Sequence, residues 1–289
     1  MPPGGGSPAA LPREDGVDAV VLAGGPPDPA LTGGISPKAF AMVGSSTMVE
    51  RVIAALRGVP QIRRIAVVGP DPLPPAVAAA ATLAVPAAGR LLDNLSAGLA
   101  ALEQDAPRGA VPVLVAAADV PLLTAAAVAE FLHAAQAAGA DAAYAVVPRE
   151  VVARAAPGVR KTFVRLADGE FTGGSLVLLR PGAFARARPV IERVVRARKR
   201  PWELARLFGL GTLLGLATGR LRIAALERRA ETLAGLRARA IICRDAGVAL
   251  DVDTPEMLAL VRRRLASVHD QVPGHPVSRG AAGPAGEAS

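Results

Sequence analysis

The stretch Asp18-Ala-Val-Val-Leu-Ala-Gly-Gly25 decides the fold of this chain. Residues 19–23 are a short apolar run that ends at two glycines, which predicts a strand buried on both faces of a sheet. Glycine lets backbone N–H groups approach an anion closely, and ligands gather at the carboxyl ends of strands in open α/β sheets. The stretch therefore predicts a ligand-binding loop directly after the first strand.

This loop continues through Gly33-Gly34 to Lys38, and Ser46-Thr-Met-Val-Glu50 then predicts the N-cap and first turn of a helix. Lys38 is not followed by Ser or Thr, and no G-x-G-x-x-G opens the helix, so a P-loop NTPase and a dinucleotide-binding site are both disfavoured. A glycine-rich connection with a solvated lysine is the alternative. Lysine occurs only at positions 38, 161 and 199, which suggests sites that need a compact ammonium group.

Composition limits the class of protein. Of the 289 residues 51% are hydrophobic, which is ample for a packed core, whereas the aromatic share of 3% leaves few surfaces for base stacking. The net charge of +8 is concentrated in arginine-rich pieces between Arg180 and Arg239. We therefore expect attraction to small anions and no nucleic-acid partner.

Cysteine, histidine and apolar runs exclude other classes. The single cysteine, Cys243, lies in an apolar run that favours a buried small hydrophobe over a nucleophile, and the three histidines show no zinc-type spacing. No apolar segment is long enough for a transmembrane span, and the N-terminus does not resemble a signal peptide. These features predict a cytoplasmic protein, residues 17–268, between disordered tails at 1–16 and 269–289.

Strand-like and helix-like segments alternate along the first half of the chain, which predicts an α/β fold with a doubly wound, mostly parallel sheet. Strands are expected at 64–69, 83–85, 111–118 and 142–147, and helices at 75–81, 91–102 and 124–138. In the helix expected at 91–102, Asn94 and Gly98 lie one turn apart on the same face, where they would let a flat ring approach the backbone. The alternative is that Asn94 is a local cap.

Asp119 is the strongest chemical signal. It ends an unbroken apolar strand, where a lone carboxylate is costly unless a divalent cation compensates its charge. A role as a turn or cap residue is the alternative. Near the C-terminus, Asp251 and Asp253 alternate along an expected strand end and would share one face, before Thr254-Pro-Glu256 opens a helix.

The middle of the chain does not continue the regular alternation of strands and helices. Strands are expected at 160–165 and 174–179, joined by a turn-rich linker in which Thr172-Gly-Gly-Ser175 has the composition of a second ligand-approach loop. Residues 181–238 predict a helical cap over the site: a basic helix from 184 to 200, then short helices broken by Gly209, Gly211, Gly215 and Gly219. Contact of this basic region with an anionic membrane or with a protein is the less favoured alternative.

Together these motifs resemble the nucleotidyltransferases with a glycosyltransferase-A-like fold, the superfamily of molybdenum cofactor guanylyltransferase and of cytidylyltransferases. The resemblance covers residues 17–266 and rests on Val21-Leu-Ala-Gly-Gly25 with Lys38, Asp119-Val-Pro, Thr172-Gly-Gly-Ser-Leu176 and Asp251-Val-Asp-Thr-Pro-Glu256. It implies a Rossmann-like three-layer fold and Mg²⁺ as cofactor. It also implies transfer of a nucleoside monophosphate from an NTP to a phosphate- or hydroxyl-bearing small molecule, with release of pyrophosphate.

The resemblance assigns roles by position. Catalytic residues are Lys38, Asp119 and Asp253, and metal ligands are Asp119 and Asp253, with Asp251 as a fallback. Nucleotide-binding residues are Leu22, Ala23, Gly24, Gly25, Lys38, Asn94 and Gly98. Acceptor-binding residues are Lys161, Thr172, Gly173, Gly174 and Ser175.

Some positions depart from the family pattern. The loop 26–32 lacks the common arginine, Ser175 replaces a usual Asn, Met257 replaces a frequent Asp, and the helical region 186–236 has no counterpart in the small guanylyltransferases. Two alternative functions follow. One is a non-catalytic module that binds a nucleotide or sugar nucleotide, and the other is a glycosyltransferase that uses a sugar nucleotide.

Overall fold

The computed structural model describes residues 16–105, 111–197 and 207–269. Apart from Gly16 and His269, both predicted tails lie outside these residues. Strand β1 (Val17–Leu22) is the strand expected from the apolar run. It pairs in parallel with β4 (Ile62–Gly69) on one side and with β6 (Val113–Ala117) on the other. β1 is therefore a central strand, as its apolar sequence requires.

The remaining strands complete one large sheet and one small ribbon. They are β2 (Met42–Val43), β3 (Ser46–Thr47), β5 (Leu83–Pro86), β7 (Ala142–Pro148), β8 (Val164–Leu166), β9 (Gly169–Leu179) and β10 (Ala238–Ile242). The large sheet has the order β10-β7-β9-β6-β1-β4-β5, with β8 paired to β9, and β2 pairs with β3 separately. Within it β9 runs antiparallel to β6, β7 and β8, and the other pairs are parallel. The predicted mostly parallel α/β sheet is confirmed.

Helices lie on both faces of this sheet. They are α1 (Pro29–Thr32), α2 (Met48–Arg57), α3 (Pro75–Ala80), α4 (Leu91–Gln104), α5 (Ala125–Ala137), α6 (Arg149–Ala155), α7 (Ala183–Ala197), α8 (Leu210–Ala217), α9 (Ile223–Ala234) and α10 (Pro255–His269). Thr47 and Glu50 form a capping box at the start of α2, and the Thr124 hydroxyl accepts the N–H of Ala127 at 3.1 Å to cap α5.

The side-chain period of β1 divides the core into two layers. Ala19 and Val21 belong to the larger apolar cluster, which includes buried residues of α2 and α5, whereas Val20 belongs to a second cluster with residues of α4. Successive side chains of a strand point to opposite faces, so one apolar run fills both layers. The result is the three-layer α/β arrangement that the sequence predicted.

The two ends of the predicted helical cap pack on the sheet, and its role as a cover over the site stays a prediction. Ala183 at the start of α7 and Leu236 after α9 are buried in the second apolar cluster, and Phe184, Ala187 and Ala234 pack against it. The apolar sides of α7 and α9 thus find partners on a face of the sheet. Part of the expected 184–200 helix, from 198 onward, lies outside the described residues.

Local structure differs from the sequence prediction in several places, and the strand expected at 160–165 begins only at Val164. Gly211 and Gly215 lie inside α8 and do not interrupt it, because the helix ends only at Thr218 and Gly219. The expected linker 168–174 is mostly part of β9, whose pairing with β7 extends to Phe171. Helix α6 and strand β10 were missed, since each is short and lacks clear periodicity. None of the described helices combines the length and apolarity needed to span a bilayer.

Gly98 is required for close packing of α4 on the sheet. A Cβ atom at this position would lie 2.7 Å from Val20 Cγ1 and 2.9 Å from Val68 Cγ2. We expect Gly98→Ala to lower the free energy of unfolding, because overpacking costs about 1–3 kcal/mol and exceeds the roughly 1 kcal/mol of helix propensity that alanine adds. Chemical denaturation measures this change.

Gly211→Ala is the matched control. Gly211 is also inside a helix, but a Cβ atom there meets nothing within 4 Å, so the same substitution should raise stability by up to about 1 kcal/mol. Equal stabilisation of both variants would contradict the packing role of Gly98.

Candidate active site

Parallel strands bring the glycine loop and Asp119 to the same edge of the sheet. In the register of β1 with β6, Leu22 is level with Ala117, so both strands end together. Gly24 and Gly25 follow β1 by two and three residues, and Asp119 follows β6 by two. The carboxyl edge therefore places backbone N–H groups and a carboxylate side by side, as predicted from each strand separately.

Lys38 joins this edge from the end of the long loop. It begins a short 3₁₀-helix, Lys38–Phe40, whose Ala39 and Phe40 are buried and fix its position. Its Nζ lies 2.7 Å from Asp119 Oδ2 and also contacts Asp253 Oδ1. Burial lowers the pKa of Lys38, but the two carboxylates, with Asp119 the stronger, outweigh burial and raise the pKa above its ordinary value. Lys38 is therefore a cation at neutral pH.

Asp253 reaches the site through an irregular segment, not a strand. In place of the expected strand end, a 3₁₀-helix, Ala246–Val248, is followed by residues without regular secondary structure that lead to α10. The N–H of Val252 donates to the backbone oxygen of Asp119 at 2.9 Å, which ties the two acidic segments together. The hydrogen bond from Lys38 lowers the pKa of Asp253, against the effect of burial. Asp119 and Asp253 therefore lie close together, as the sequence predicted.

Asp119 has one carboxylate oxygen free for a further ligand. Its Oδ2 pairs with Lys38, whereas its Oδ1 is buried and has no hydrogen-bond partner among the described residues. Such an orphaned anionic oxygen is costly unless a cation or donor occupies the position next to it. Two carboxylates fit Mg²⁺, which takes oxygen ligands and usually keeps waters and substrate phosphates as the others. The described residues contain no group of three or more His, Cys, Asp or Glu side chains that could hold a metal alone.

Asp251 has a different partner. Its Oδ1 contacts the ammonium group of Lys161, which also donates to the backbone oxygen of Ala249. Burial raises the pKa of Asp251, while Lys161 opposes that shift and the neighbouring Asp253 adds to it. Asp251, which was predicted as the fallback metal ligand, is therefore held in an ion pair with Lys161. The same ion pair places Lys161 beside the turn that carries Asp253.

A cavity of about 380 Å³ lies against the glycine loop. Of the predicted catalytic and nucleotide-binding residues, those that line it are Leu22, Ala23, Gly24, Gly25, Lys38, Asp119 and Asp253. Asn94 lies next to the glycine loop, since a Cβ atom at Gly24 would be 2.9 Å from its Nδ2. Its Oδ1 accepts the N–H of Ala88 at 2.7 Å. Asn94 is thus not a local cap of α4. Gly98 faces the sheet, and its role beside the base or ribose stays a prediction.

The predicted acceptor motif Thr172-Gly-Gly-Ser175 is part of β9 and not a loop. A Cβ atom at Gly173 would overlap the Tyr144 hydroxyl, and one at Gly174 would lie 2.8 Å from Val248 Cγ1. Packing therefore accounts for both glycines, and the acceptor role of Thr172, Gly173, Gly174 and Ser175 stays a prediction. The hydroxyl of Tyr144, a residue that sequence reasoning missed, lies against Gly173, and burial of this group and then the charge of Asp251 raise its pKa.

A second cavity of about 500 Å³ adjoins the first and shares Asp253 with it. Its wall includes Lys161 together with Arg160 and Arg263, and its apolar part includes Met257 and Leu260. Sequence reasoning missed Arg160 and Arg263, because neither lies in a motif and α10 brings Arg263 to the wall only in the folded chain.

Cys243 is buried, and its burial, followed by the charges of Asp245 and Glu130, raises the pKa of the thiol to about 11. The thiol is therefore protonated at neutral pH, which agrees with its prediction as a small buried hydrophobe.

Comparisons with known proteins show which family this chain is similar to. A family profile described as the MobA-like NTP transferase domain matches residues 19–277. A hypothetical transferase from Thermus thermophilus is 39% identical, with a TM-score of 0.74 over 84% of this chain and 99% of that chain. A search of curated proteins gave no match.

Two cytidylyltransferase structures share the fold alone. A 4-diphosphocytidyl-2C-methyl-D-erythritol synthase from Anaerococcus prevotii has a TM-score of 0.56 at 11% identity, covering 87% of this chain and 99% of its own. A CMP:2-keto-3-deoxy-manno-octonic acid synthetase solved with CTP has a TM-score of 0.52 at 15% identity, covering 88% of this chain and 100% of its own. With the profile and the Thermus structure spanning nearly the whole described chain, the protein is a nucleotidyltransferase of the MobA-like NTP transferase family.

Proposed function

We propose that this protein is a magnesium-dependent nucleotidyltransferase that moves a nucleoside monophosphate from an NTP to a small acceptor. The observation that carries the proposal is the convergence of Lys38, Asp119 and Asp253 beside the glycine loop. Phosphoryl chemistry depends on positioning and charge neutralisation more than on covalent help from the protein. Backbone N–H groups, one ammonium and two carboxylates supply both.

The glycine loop and Lys38 would bind the triphosphate. Gly25 is exposed and a Cβ atom there meets nothing within 4 Å, so its backbone is open to a phosphate in the adjoining cavity. Lys38 is paired with two carboxylates, and we infer that its ammonium group exchanges one of them for a phosphate when the NTP enters. The exchange keeps the lysine cationic, because each partner is an anion.

Asp119 and Asp253 would hold Mg²⁺, with the buried Oδ1 of Asp119 as the anchoring ligand. When bound, the ion neutralises charge on the phosphates and on the leaving pyrophosphate. Asp251 would keep its ion pair with Lys161 and so hold the turn that presents Asp253. This division of roles explains why two neighbouring carboxylates need different partners.

The reaction itself is an in-line displacement. An oxygen of the acceptor forms a bond to the α-phosphorus, and the bond from that phosphorus to the β-phosphate oxygen breaks, so that pyrophosphate leaves with the electron pair. A phosphate acceptor has no proton to lose at neutral pH, whereas a hydroxyl acceptor releases one to solvent. Since NTP is the donor, we place the reaction in the cytoplasm.

The second cavity is the proposed acceptor site. It shares Asp253 with the nucleotide cavity, so an acceptor bound there would be next to the triphosphate. Arg160, Lys161 and Arg263 give this wall a positive character, which fits an acceptor that carries a phosphate or carboxylate. Met257 and Leu260 would contact its apolar part.

Asp119→Asn tests the donor and metal site. We expect one of the four NTPs, in the presence of magnesium, to raise the melting temperature of the wild type, since a ligand at a hundredfold excess over its Kd adds roughly 2.7 kcal/mol. The variant should lose the magnesium-dependent part of this shift and lower pyrophosphate release on the order of a thousandfold, because a metal contributes several kcal/mol to the transition state.

Glu103→Gln is the control for this test, since Glu103 is an exposed acidic residue on α4 outside both cavities. It should respond to NTP and magnesium as the wild type does. An Asp119→Asn protein with the full magnesium-dependent shift would contradict the metal assignment, and a wild type that no NTP stabilises would contradict the proposed donor.

Arg263→Gln tests the acceptor site separately. With sugar phosphates and other small phosphate esters screened as acceptors, we expect the KM for the best acceptor to rise about tenfold or more, because a hydrogen bond to a charged group contributes about 1.5–3 kcal/mol. The KM for NTP should not change. Arg57→Gln, an exposed arginine on α2, is the control, and an equal effect of both substitutions would contradict this location.

A further inference from the structure

The positive charge of this protein is concentrated in one segment. Residues 183–237 contain thirteen basic and four acidic side chains, a net charge of +9, whereas the whole chain carries +8. The rest of the chain is therefore close to neutral. Neither of the two cavities at the active site is lined by a described residue of this segment, so the proposed reaction does not account for its charge.

Helix α8 presents an uncharged surface to solvent within this basic segment. Its sequence is Leu-Gly-Thr-Leu-Leu-Gly-Leu-Ala, and none of its residues is buried. Leu210 is 75% exposed and Leu214 is 64% exposed. Together with Gly211 and Ala217, which are also exposed, they recur at the spacing of one helical face. Exposing two leucines on one short helix is unfavourable in water and indicates a surface that contacts an apolar partner.

Basic side chains directly follow this face. The N–H of Arg220 donates to the backbone oxygen of Gly215 at 2.9 Å, and Gly219 has a φ of 67°, so the chain turns sharply at the end of α8. This turn leaves Arg220 and Arg222 exposed beside the last turn of the helix. We name Leu210, Gly211, Leu214, Ala217, Arg220 and Arg222 the α8 surface.

The α8 surface lies near the edge of the sheet that carries the active site. The N–H of Ala167 donates to the backbone oxygen of Leu221 at 2.9 Å, and the N–H of Ile223 donates to Asp168 Oδ2 at 2.7 Å. Ala167 and Asp168 form the turn between β8 and β9. That turn is at the carboxyl end of β7, since Pro148 is level with Phe171. A partner on the α8 surface would thus be on the side where the reaction takes place.

We propose that the α8 surface binds an anionic lipid bilayer. On an anionic bilayer the exposed leucines of α8 would enter the acyl boundary, and the arginines that follow the helix would pair with anionic headgroups. A nucleic acid would match the charge but not the leucines, because its surface is polar and its contacts are mostly to phosphates. This proposal goes beyond nucleotidyl transfer and does not depend on it.

Vesicle co-sedimentation of the full chain tests the proposal. We expect the wild type to bind vesicles that contain 30% phosphatidylglycerol in phosphatidylcholine and to bind pure phosphatidylcholine at least tenfold more weakly, because the anionic lipid supplies the attraction. The double variant Leu210→Gln with Leu214→Gln should lower the partition coefficient on anionic vesicles at least tenfold. Arg220→Gln with Arg222→Gln should lower it and reduce its dependence on salt.

Two controls separate this surface from general effects. Leu91 is 66% exposed on α4, so Leu91→Gln removes a leucine of matched exposure, and Arg57→Gln removes one exposed arginine on α2. Both should bind as the wild type does, and circular dichroism should show that all variants are folded. The proposal is wrong if the wild type does not bind anionic vesicles, or if the leucine variant binds them as well as the wild type does. It is also wrong if the wild type binds RNA through Arg220 and Arg222 but does not bind vesicles.

Discussion

Two carboxylates from distant parts of the chain lie against one ammonium group at the carboxyl edge of the sheet. Lys38 contacts both Asp119 and Asp253, and the backbone of Val252 is hydrogen-bonded to that of Asp119. Two acidic groups this close repel each other unless a cation lies between them. The arrangement therefore requires positive charge at one point, and Lys38 supplies it.

The same requirement organises the surroundings of the site. The Oδ1 of Asp119 is buried without a partner among the described residues, whereas Asp251 is neutralised by Lys161 on the other side of the turn. Asp119 thus has a carboxylate oxygen that could bind a cation, whereas the carboxylate of Asp251 is held in an ion pair. The cavity lined by the glycine loop and the basic cavity meet at Asp253. In the proposed function the first cavity would bind the nucleotide and the second would bind the acceptor.

Glycines in this protein have two different origins. Gly98, Gly173 and Gly174 are each crowded by a neighbouring side chain, so they are small because the fold leaves no room. Gly25 is in open space beside the first cavity, and the fold alone does not require its lack of a side chain. Composition cannot separate these cases, since a Gly-Gly pair in a strand and one in a loop are identical in sequence.

The sequence by itself determined the central strand, the loop after it, the Thr124 cap and the α/β class, because buried strands and helix caps follow from local periodicity. It also identified Lys38, Asp119 and Asp253 as residues that belong together, although the strand expected at Asp251 is an irregular segment. Only the tertiary structure decided that Lys161 pairs with Asp251, that Arg160 and Arg263 line one cavity, and that α7 and α9 pack on a face of the sheet. These features depend on contacts between residues far apart in the chain, and no local pattern encodes which distant side chain will arrive.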